Sequence, residues 1–321
     1  MKKGTEFIGL NFLSFVSKYG LVFALFIMLT ILSVTAEYFL TYSNITNILL
    51  QSVNIGIMAA GLTVVIIVAE IDLAVAAIQT LAAVVVAMLL VNYGIPIFPA
   101  IVLTLFVGII AGAFSGVFAG WFAIPAFILT LAMNSLARGT ALIITDQNSI
   151  WGLPEGFAFI GQGYVGPVPF AVIIMVLVFV VVHVLLTRTS LGTYIYAVGG
   201  NIEAARANGI NVFLVKVLAL TISGFCSALA GIVIASRLMA AQPIMGLWDL
   251  MDVIAAVVIG GTSLLGGEGR IIGTVIGTLI IVSMRNGLNL LGISPDWQLI
   301  GIGVIIVLAI LFDYFGRNKA I

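Results

Sequence analysis

Residues 199–210 read Gly-Gly-Asn-Ile-Glu-Ala-Ala-Arg-Ala-Asn-Gly-Ile, a short polar stretch between two long apolar runs. Asn201 suits a helix N-cap, Glu203 places a negative charge in the first turn, and Gly209 is a natural stop. The alanines between them favour a helix. The stretch therefore predicts a helix of two turns in a loop at a membrane surface. Such a helix either docks onto a partner or is a solvated connection without one.

The composition around this stretch is that of an integral membrane protein. Of the 321 residues, 63% are hydrophobic and 7% are charged, whereas soluble domains carry roughly a quarter charged residues. The formal net charge is zero, which gives no indication of a nucleic-acid partner. Cys226 is the single cysteine, so no internal disulfide can form. We expect one all-α, polytopic membrane domain over residues 1–321.

Apolar runs of about 20 residues, the length that crosses a bilayer, recur along the whole chain and predict ten transmembrane helices. Most lysines and arginines fall on one side if both termini are cytoplasmic, as the positive-inside rule requires. Arg138, Arg237 and Arg285 are the exceptions. The predicted topology is N-in and C-in, which makes the helix after Asn201 cytoplasmic. The basic residues on the cytoplasmic side are then Lys2, Lys3, Lys18, Arg188, Arg206, Lys216, Arg270, Arg317 and Lys319. The predicted spans are 19–38, 48–69, 73–92, 97–120, 124–145, 168–187, 213–236, 250–265, 271–290 and 297–314.

Two polar turns interrupt the spans. Residues 69–73, Ala-Glu-Ile-Asp-Leu, predict a tight cytoplasmic turn whose carboxylates either form a site or include Asp72 as the cap of the third helix. Residues 260–270 are rich in glycine but lack the Gly-Lys-Ser/Thr ending of a phosphate loop. We therefore expect a flexible or tightly turned junction there and no ATP binding. Both turns join an inward span to an outward one, a weak internal echo of the kind found in transporters.

The fourth and fifth spans carry distinctive residue spacings. Four glycines, each four residues from the next, begin at Gly108 and predict close helix packing. In the fifth span, Thr130, Asn134 and Arg138 are also spaced by four and share one helix face. That face either lines an aqueous path or hydrogen-bonds to neighbouring helices. No HExxH, GxSxG or Cys/His cluster occurs in the sequence, so transport is favoured over catalysis or metal binding.

Three stretches carry a family pattern. They are residues 194–210, which begin Tyr-Ile-Tyr-Ala-Val-Gly-Gly-Asn; residues 254–271, with Gly-Gly-Thr-Ser-Leu-Leu-Gly-Gly; and residues 286–292, Asn-Gly-Leu-Asn-Leu-Leu-Gly. Together they resemble the permease subunits of bacterial ATP-binding-cassette importers for simple sugars, the ribose, xylose and galactoside group. The departure is Glu-Ile-Asp-Leu-Ala-Val-Ala at residues 70–76, where the family usually has Gly-Ile-Asp-Leu-Ser-Val-Gly. Asp72 is the main residue carried over there.

The resemblance implies a transport subunit rather than an enzyme. The chain would lie in the bacterial inner membrane and move a monosaccharide-like solute by alternating access, with no cofactor of its own. Its partners would be a cytoplasmic ATPase subunit that uses Mg-ATP, an external solute-binding protein, and a second permease chain in a homodimer or heterodimer. Residues implied in ATPase coupling are Asn201, Glu203, Ala204, Ala205, Arg206, Gly209 and Ile210. Residues implied in turning or gating are Asp72, Gly266, Gly267 and Gly269.

Two other kinds of transporter remain open at this point. A related importer permease for nucleosides, autoinducer-2 or branched-chain amino acids shares the general plan. An ion-driven secondary carrier would need buried ionisable pairs, whereas the carboxylates here lie mostly near predicted loops. The sequence does not name the solute.

Overall fold

The computed structural model of the protein describes residues 20–122, 124–304 and 307. Within them the chain is a bundle of helices, which confirms the prediction of an all-α polytopic architecture. The helices are α1 (Gly20–Thr35), α2 (Tyr42–Ile67), α3 (Val75–Val91), α4 (Ile97–Phe122), α5 (Ala126–Ile144), α6 (Glu155–Gln162), α7 (Phe170–Arg188), α8 (Ser190–Gly200), α9 (Ile202–Ala207), α10 (Val212–Leu238), α11 (Asp249–Ile259), α12 (Ile271–Leu290) and α13, described over 295–304. Four two-residue strands form two antiparallel pairs: β1 (Ile150–Trp151) with β4 (Ala240–Ala241), and β2 (Tyr164–Val165) with β3 (Val168–Pro169).

Six of the described helices, α2, α4, α5, α7, α10 and α12, are long and apolar enough to cross a membrane. Two shorter apolar helices, α1 and α3, accompany them. The predicted total of ten spans and their orientation stay predictions. The tenth span, 297–314, lies partly outside the described residues, as does the start of the first. Outside them too are the terminal charges Lys2, Lys3, Lys18, Arg317 and Lys319.

The predicted eighth span, 250–265, is wrong in its second part. Helix α11 ends at Ile259, and turns follow because Gly261 adopts a left-handed backbone conformation, with φ of 81°. The 11 residues of α11 rise only about 16 Å, whereas the apolar core of a bilayer is about 30 Å thick. Helix α11 is therefore too short to cross alone.

Helix α10 packs against α2, α3 and α4 at the centre of the bundle. The glycine ridge of α4 faces it. A Cβ atom at Gly112 would lie 2.2 Å from the Leu220 carbonyl oxygen, and one at Gly108 would lie 2.4 Å from the Gly224 carbonyl oxygen. The two backbones therefore touch, and the predicted close packing of this ridge is confirmed.

The connection between α2 and α3 is not the tight turn that the sequence predicted. Glu70 pairs with Lys216 near the start of α10, and Asp72 accepts a hydrogen bond from Ser223 Oγ at 2.7 Å. Lys216 and Ser223 are about two turns apart on α10, a rise of roughly 10 Å. Residues 70–74 therefore run along α10 into the bundle, and α3 begins in its interior. Non-helical backbone is tolerated at such depth only where protein surrounds it.

Asp72 does not cap α3 in the predicted way. The N-cap residue is Ala74, whose side chain makes no capping bond. Asp72 Oδ1 instead accepts from the Ala74 N–H at 2.8 Å, while Oδ2 accepts from the Ser223 hydroxyl. The Asp72 side chain is 1% exposed, so these two buried donors depend on it for a partner. Asp72 thus fastens the start of α3 to α10.

We expect Asp72→Ala to lower the free energy of unfolding by about 3 kcal/mol, because two buried donors lose their acceptor. Asp72→Asn keeps one acceptor oxygen and should cost about half as much. Denaturant unfolding of the purified protein in detergent measures both. Ser115→Ala is the matched control, since its buried hydroxyl bonds only to Ala111 of its own helix. A loss in Asp72→Ala no larger than in this control would contradict the assigned role.

The far end of α10 is covered by the segment between α5 and α7. Strand β1 pairs with β4 just after α10, with Ile150 opposite Ala241. Helix α6 packs on the last turns of α10, where the Gly161 N–H donates to Ser236 Oγ at 2.8 Å. This end of α10 is the one remote from Lys216 and α9.

Candidate functional site

The polar stretch of residues 199–210 contains the predicted capped helix, α9. Asn201 Oδ1 accepts a hydrogen bond from the Ala204 N–H at 2.9 Å. The helix ends at Ala207, and Gly209 then adopts a left-handed conformation with φ of 78°. The predicted cap and glycine stop are confirmed, although the helix is only six residues long.

Helix α9 presents charged side chains outward and an alanine inward. Glu203 and Arg206 are 76% and 63% exposed, and their charged groups lie 3.3 Å apart. Ala204 is also exposed, whereas Ala205 is buried and Ile210 is half-buried. Exposed pairs of this kind contribute little to stability. Because the outward face is exposed and contributes little to folding, it is accessible to a partner. The coupling role of these residues stays a prediction.

Helix α8 comes directly before α9 and was not predicted. Its N-cap is Thr189, whose Oγ1 accepts from the Gly192 N–H at 3.2 Å. Near its end, the Tyr196 hydroxyl donates to the Gly269 carbonyl oxygen at 2.8 Å. Burial raises the pKa of Tyr196, so this hydroxyl stays protonated and able to donate. The bond ties α8 to the connection between α11 and α12.

The end of α8 lies where the α2–α3 connection meets the α11–α12 connection. The Gly267 N–H donates to the Ile67 carbonyl oxygen at the end of α2, at 2.8 Å. A Cβ atom at Gly199 would lie 1.7 Å from the same oxygen, and one at Gly266 would lie 2.5 Å from the Ala69 Cβ. We name these five residues the junction. It joins α8, the α2–α3 connection and the α11–α12 connection, so the residues 260–270 are tightly turned rather than loosely linked.

The polar face of α5 holds the α2–α3 connection. Thr130 Oγ1 accepts from the Leu73 N–H at 3.1 Å, and Asn134 Nδ2 donates to the Leu73 carbonyl oxygen at 2.7 Å. One turn further, Arg138 interacts electrostatically with Asp249. Hydrogen bonding to a neighbouring segment therefore accounts for Thr130 and Asn134. A role of the three residues in a solute path stays a prediction.

A polar cavity of about 280 Å³ lies between α2, α3, α10, α11 and α12. Arg237 and Leu238, from the last turn of α10, form part of its wall, so the cavity and the junction occupy opposite halves of the bundle. Its amide and charged side chains include Asn54, Gln79, Arg237, Asp249, Asp252 and Arg285.

The carboxylates of α11 organise this cavity. Asp249 Oδ2 accepts from Asn54 Nδ2 at 2.9 Å and from Gln79 Nε2 at 3.3 Å. Arg285 Nη1 lies 2.6 Å from Asp252 Oδ2, although no hydrogen bond to Asp252 is aligned. Both carboxylates stand in the first turn of α11. The last residue of α11 leads into the α11–α12 connection, which contains Gly266 and Gly267 of the junction. One short helix therefore links the cavity to the junction.

Comparison with known proteins identifies the family. Residues 44–310 match the family model described as the permease component of the branched-chain amino acid transport system. The ribose import permease of Haemophilus influenzae is 44% identical over 92% of this chain and 93% of its own. The ribose import permease of Bacillus subtilis is 43% identical over 96% of each chain, and the D-allose transport system permease of Escherichia coli is 40% identical over 94% of this chain and 93% of its own. The chain belongs to this permease family. No solved structure matches it.

The permease is a transmembrane subunit of an ATP-binding-cassette sugar importer, as the resemblance implied. It is a multi-pass transport protein and not an enzyme. The alternative of an ion-driven secondary carrier is set aside, because family membership now assigns the chain to a different class of transporter.

The cavity residues of the permease escaped the sequence analysis. Asn54 and Gln79 are isolated amides inside apolar spans, and a buried polar side chain at membrane depth is costly unless it has a role. Asp249 and Asp252 were not singled out either, yet both lie in the first turn of α11 and line the cavity. Isolated polar residues within the spans were the signal that could have found them.

Proposed function

We propose that the permease imports a monosaccharide and that α9 transmits the force of ATP hydrolysis from a separate cytoplasmic ATPase. The relatives carry the names of ribose and allose import proteins, which makes a single sugar the expected cargo. In this proposal ten segments cross the bacterial inner membrane and both termini are cytoplasmic, with α11 crossing together with the turns that follow it. A second permease chain completes the path, and an external solute-binding protein delivers the sugar.

The observation that carries the proposal is the contact of α8 with both the α2–α3 and the α11–α12 connection. The Gly199 backbone meets the end of α2, and Tyr196 is bonded to the α11–α12 connection. A displacement of α9 by a closing ATPase would therefore move the α2–α3 and α11–α12 connections together. Elements that end inside a bundle can shift as rigid bodies between two arrangements, as alternating access requires.

The test is co-purification of the ATPase with tagged permease from its native membranes in mild detergent. We expect the double variant Glu203→Lys/Arg206→Glu to lose most of the ATPase, because it keeps the pair within α9 but reverses the charges shown to the partner. Folding should be unaffected, since an exposed pair is worth less than about 1 kcal/mol.

Glu155→Lys is the matched control, because Glu155 is also exposed but lies on α6 at the other end of α10. This variant should bring down as much ATPase as the wild type. If the folded wild-type permease repeatedly purifies without an ATPase, the proposed coupling is wrong. Equal recovery with the α9 variant would remove Glu203 and Arg206 from the contact.

A further inference from the structure

The polar cavity holds more unsatisfied polar atoms than any other part of the chain that the structure describes. Buried side-chain atoms without a hydrogen-bond partner are Asn54 Oδ1, Gln79 Oε1, both Asp252 carboxylate oxygens and Arg285 Nε, with only Thr262 Oγ1 elsewhere among the described residues. Asp252 Oδ2 is paired electrostatically with Arg285 Nη1 at 2.6 Å, whereas each of the other atoms costs about 1–3 kcal/mol when nothing pairs with it. Water or a bound molecule that supplies hydrogen bonds would remove this cost.

The geometry fixes which atoms are left over. A carboxylate only accepts hydrogen bonds, so Asn54 and Gln79 must turn their NH₂ groups toward Asp249. Their carbonyl oxygens are then directed away from Asp249 and find no donor. Asp252 lies beside Arg285 without an aligned bond. The unpaired acceptors, Asn54 Oδ1, Gln79 Oε1 and Asp252 Oδ1, thus outnumber the unpaired donor, Arg285 Nε.

This balance selects the chemistry of the occupant. Hydroxyl groups both donate and accept, so a polyhydroxylated molecule can pair with the amide oxygens, the Asp252 carboxylate and Arg285 Nε together. A phosphate or carboxylate would bring negative charge and mostly acceptor oxygens toward the Asp249 and Asp252 carboxylates and the two amide oxygens. A metal ion would face the guanidinium groups of Arg237 and Arg285 in the cavity wall. The cavity volume of about 280 Å³ lies at the lower limit of small-molecule pockets and fits one sugar ring rather than two.

We propose that this cavity is a binding site for a single neutral sugar within one permease chain, with Asn54, Gln79, Asp252 and Arg285 as its hydrogen-bonding residues. The inference rests on the proposed import of a monosaccharide. It adds that the permease itself recognises the cargo. The site stands in the half of the bundle remote from α9, and α11 joins it to the junction, so a bound sugar contacts the helix that the junction positions.

The test is direct binding of D-ribose to the purified full-length permease in lipid nanodiscs, without ATPase or binding protein. The thermal unfolding temperature is followed as D-ribose is added to about 100 mM, since a ligand that binds only the folded state raises it. Sucrose at equal concentration measures general stabilisation by osmolytes. We expect a saturable increase with D-ribose beyond that of sucrose, and none with inorganic phosphate.

Variants of the wall make the test specific. Gln79→Met removes both polar atoms at nearly constant length and should weaken D-ribose binding about tenfold, the effect of roughly 1.4 kcal/mol. Asn54→Leu should act similarly. Thr104→Val is the matched control, because the Thr104 hydroxyl is buried but bonds only within α4, and its affinity should equal that of the wild type.

Three results would overturn the inference: a D-ribose response no larger than that of sucrose, a response to phosphate instead, or unchanged affinity in both wall variants. The first would mean that water alone fills the cavity, at about 30 Å³ per molecule. None of these results alters ATPase co-purification. Failure of the sugar site is therefore distinguishable from failure of the proposed coupling, which leaves sugar binding intact but loses the ATPase.

Discussion

Gly199→Ala is expected to lower sugar uptake by more than about tenfold, while the permease still inserts and still binds its ATPase. The added Cβ would lie 1.7 Å from the Ile67 carbonyl oxygen and close to the Gly267 N–H, which shares that oxygen. Both neighbours are backbone atoms, so α8 must move away from the junction as a unit. Overpacking of this kind costs about 1–3 kcal/mol, and about 1.4 kcal/mol changes a conformational equilibrium tenfold.

The measurement is ATP-driven uptake into proteoliposomes that contain the permease, its ATPase and the binding protein, with hydrolysis followed in parallel. Uptake should fall more than hydrolysis, because the contact that transmits motion is damaged while α9 is intact. Gly200→Ala is the control, since a Cβ atom there meets nothing within 4 Å. Equal uptake by the two variants would show that the close approach at Gly199 does not transmit the motion.

Local structure around α9 was predictable because its signals are local. The Asn201 cap and the Gly209 stop depend on residues within one turn of them, and both hold in the structure. Helix α8 was missed because its N-cap, Thr189, directly follows the last residue of α7, so no loop separates the two helices. Where the determinants lie within a few residues, sequence patterns suffice.

The α2–α3 connection was not predictable in the same way, because its partners are distant in the chain. Asp72 bonds to Ser223, and Leu73 is held by Thr130 and Asn134. These contacts let an extended backbone enter the bundle with its polar groups paired. A short polar stretch between two apolar runs looks identical in sequence whether it turns at the surface or runs inward.

The three arginines that did not follow the positive-inside rule indicated the position of the cavity. Arg237 and Arg285 line the cavity, and Arg138 interacts with Asp249 of its wall. A basic residue that conflicts with the topology rule is a candidate for an interior partner, since ionisable groups inside a membrane protein pair with one another.

The weak internal echo between the two polar turns also corresponds to a contact in the structure. Its two turns, remote in sequence, meet at the junction through Ile67 and Gly267.

Glu70→Ala is expected to lower the free energy of unfolding by about 3 kcal/mol, because it leaves the Lys216 ammonium group without its partner in a mostly buried position. The Glu70 and Lys216 side chains are only 11% and 20% exposed. Glu70 also accepts a hydrogen bond from the Ala126 N–H at 3.1 Å, so the variant frees the start of α5 as well. Denaturant unfolding in detergent gives the magnitude.

The double variant Glu70→Ala/Lys216→Met distinguishes the effect of an unpaired Lys216 charge from the effect of losing the other contacts of Glu70. Removing both charges leaves no buried ion behind, so much of the lost stability should return, as it does when buried pairs are replaced by apolar side chains. Glu203→Ala is the control, since its exposed pair with Arg206 should change stability by less than about 1 kcal/mol. If the double variant is as unstable as Glu70→Ala, the bond to Ala126 and not the ion pair holds this connection. Recovery would instead explain how the chain accommodates Glu70 where the resemblance leads us to expect a glycine: Lys216 of α10 compensates the charge.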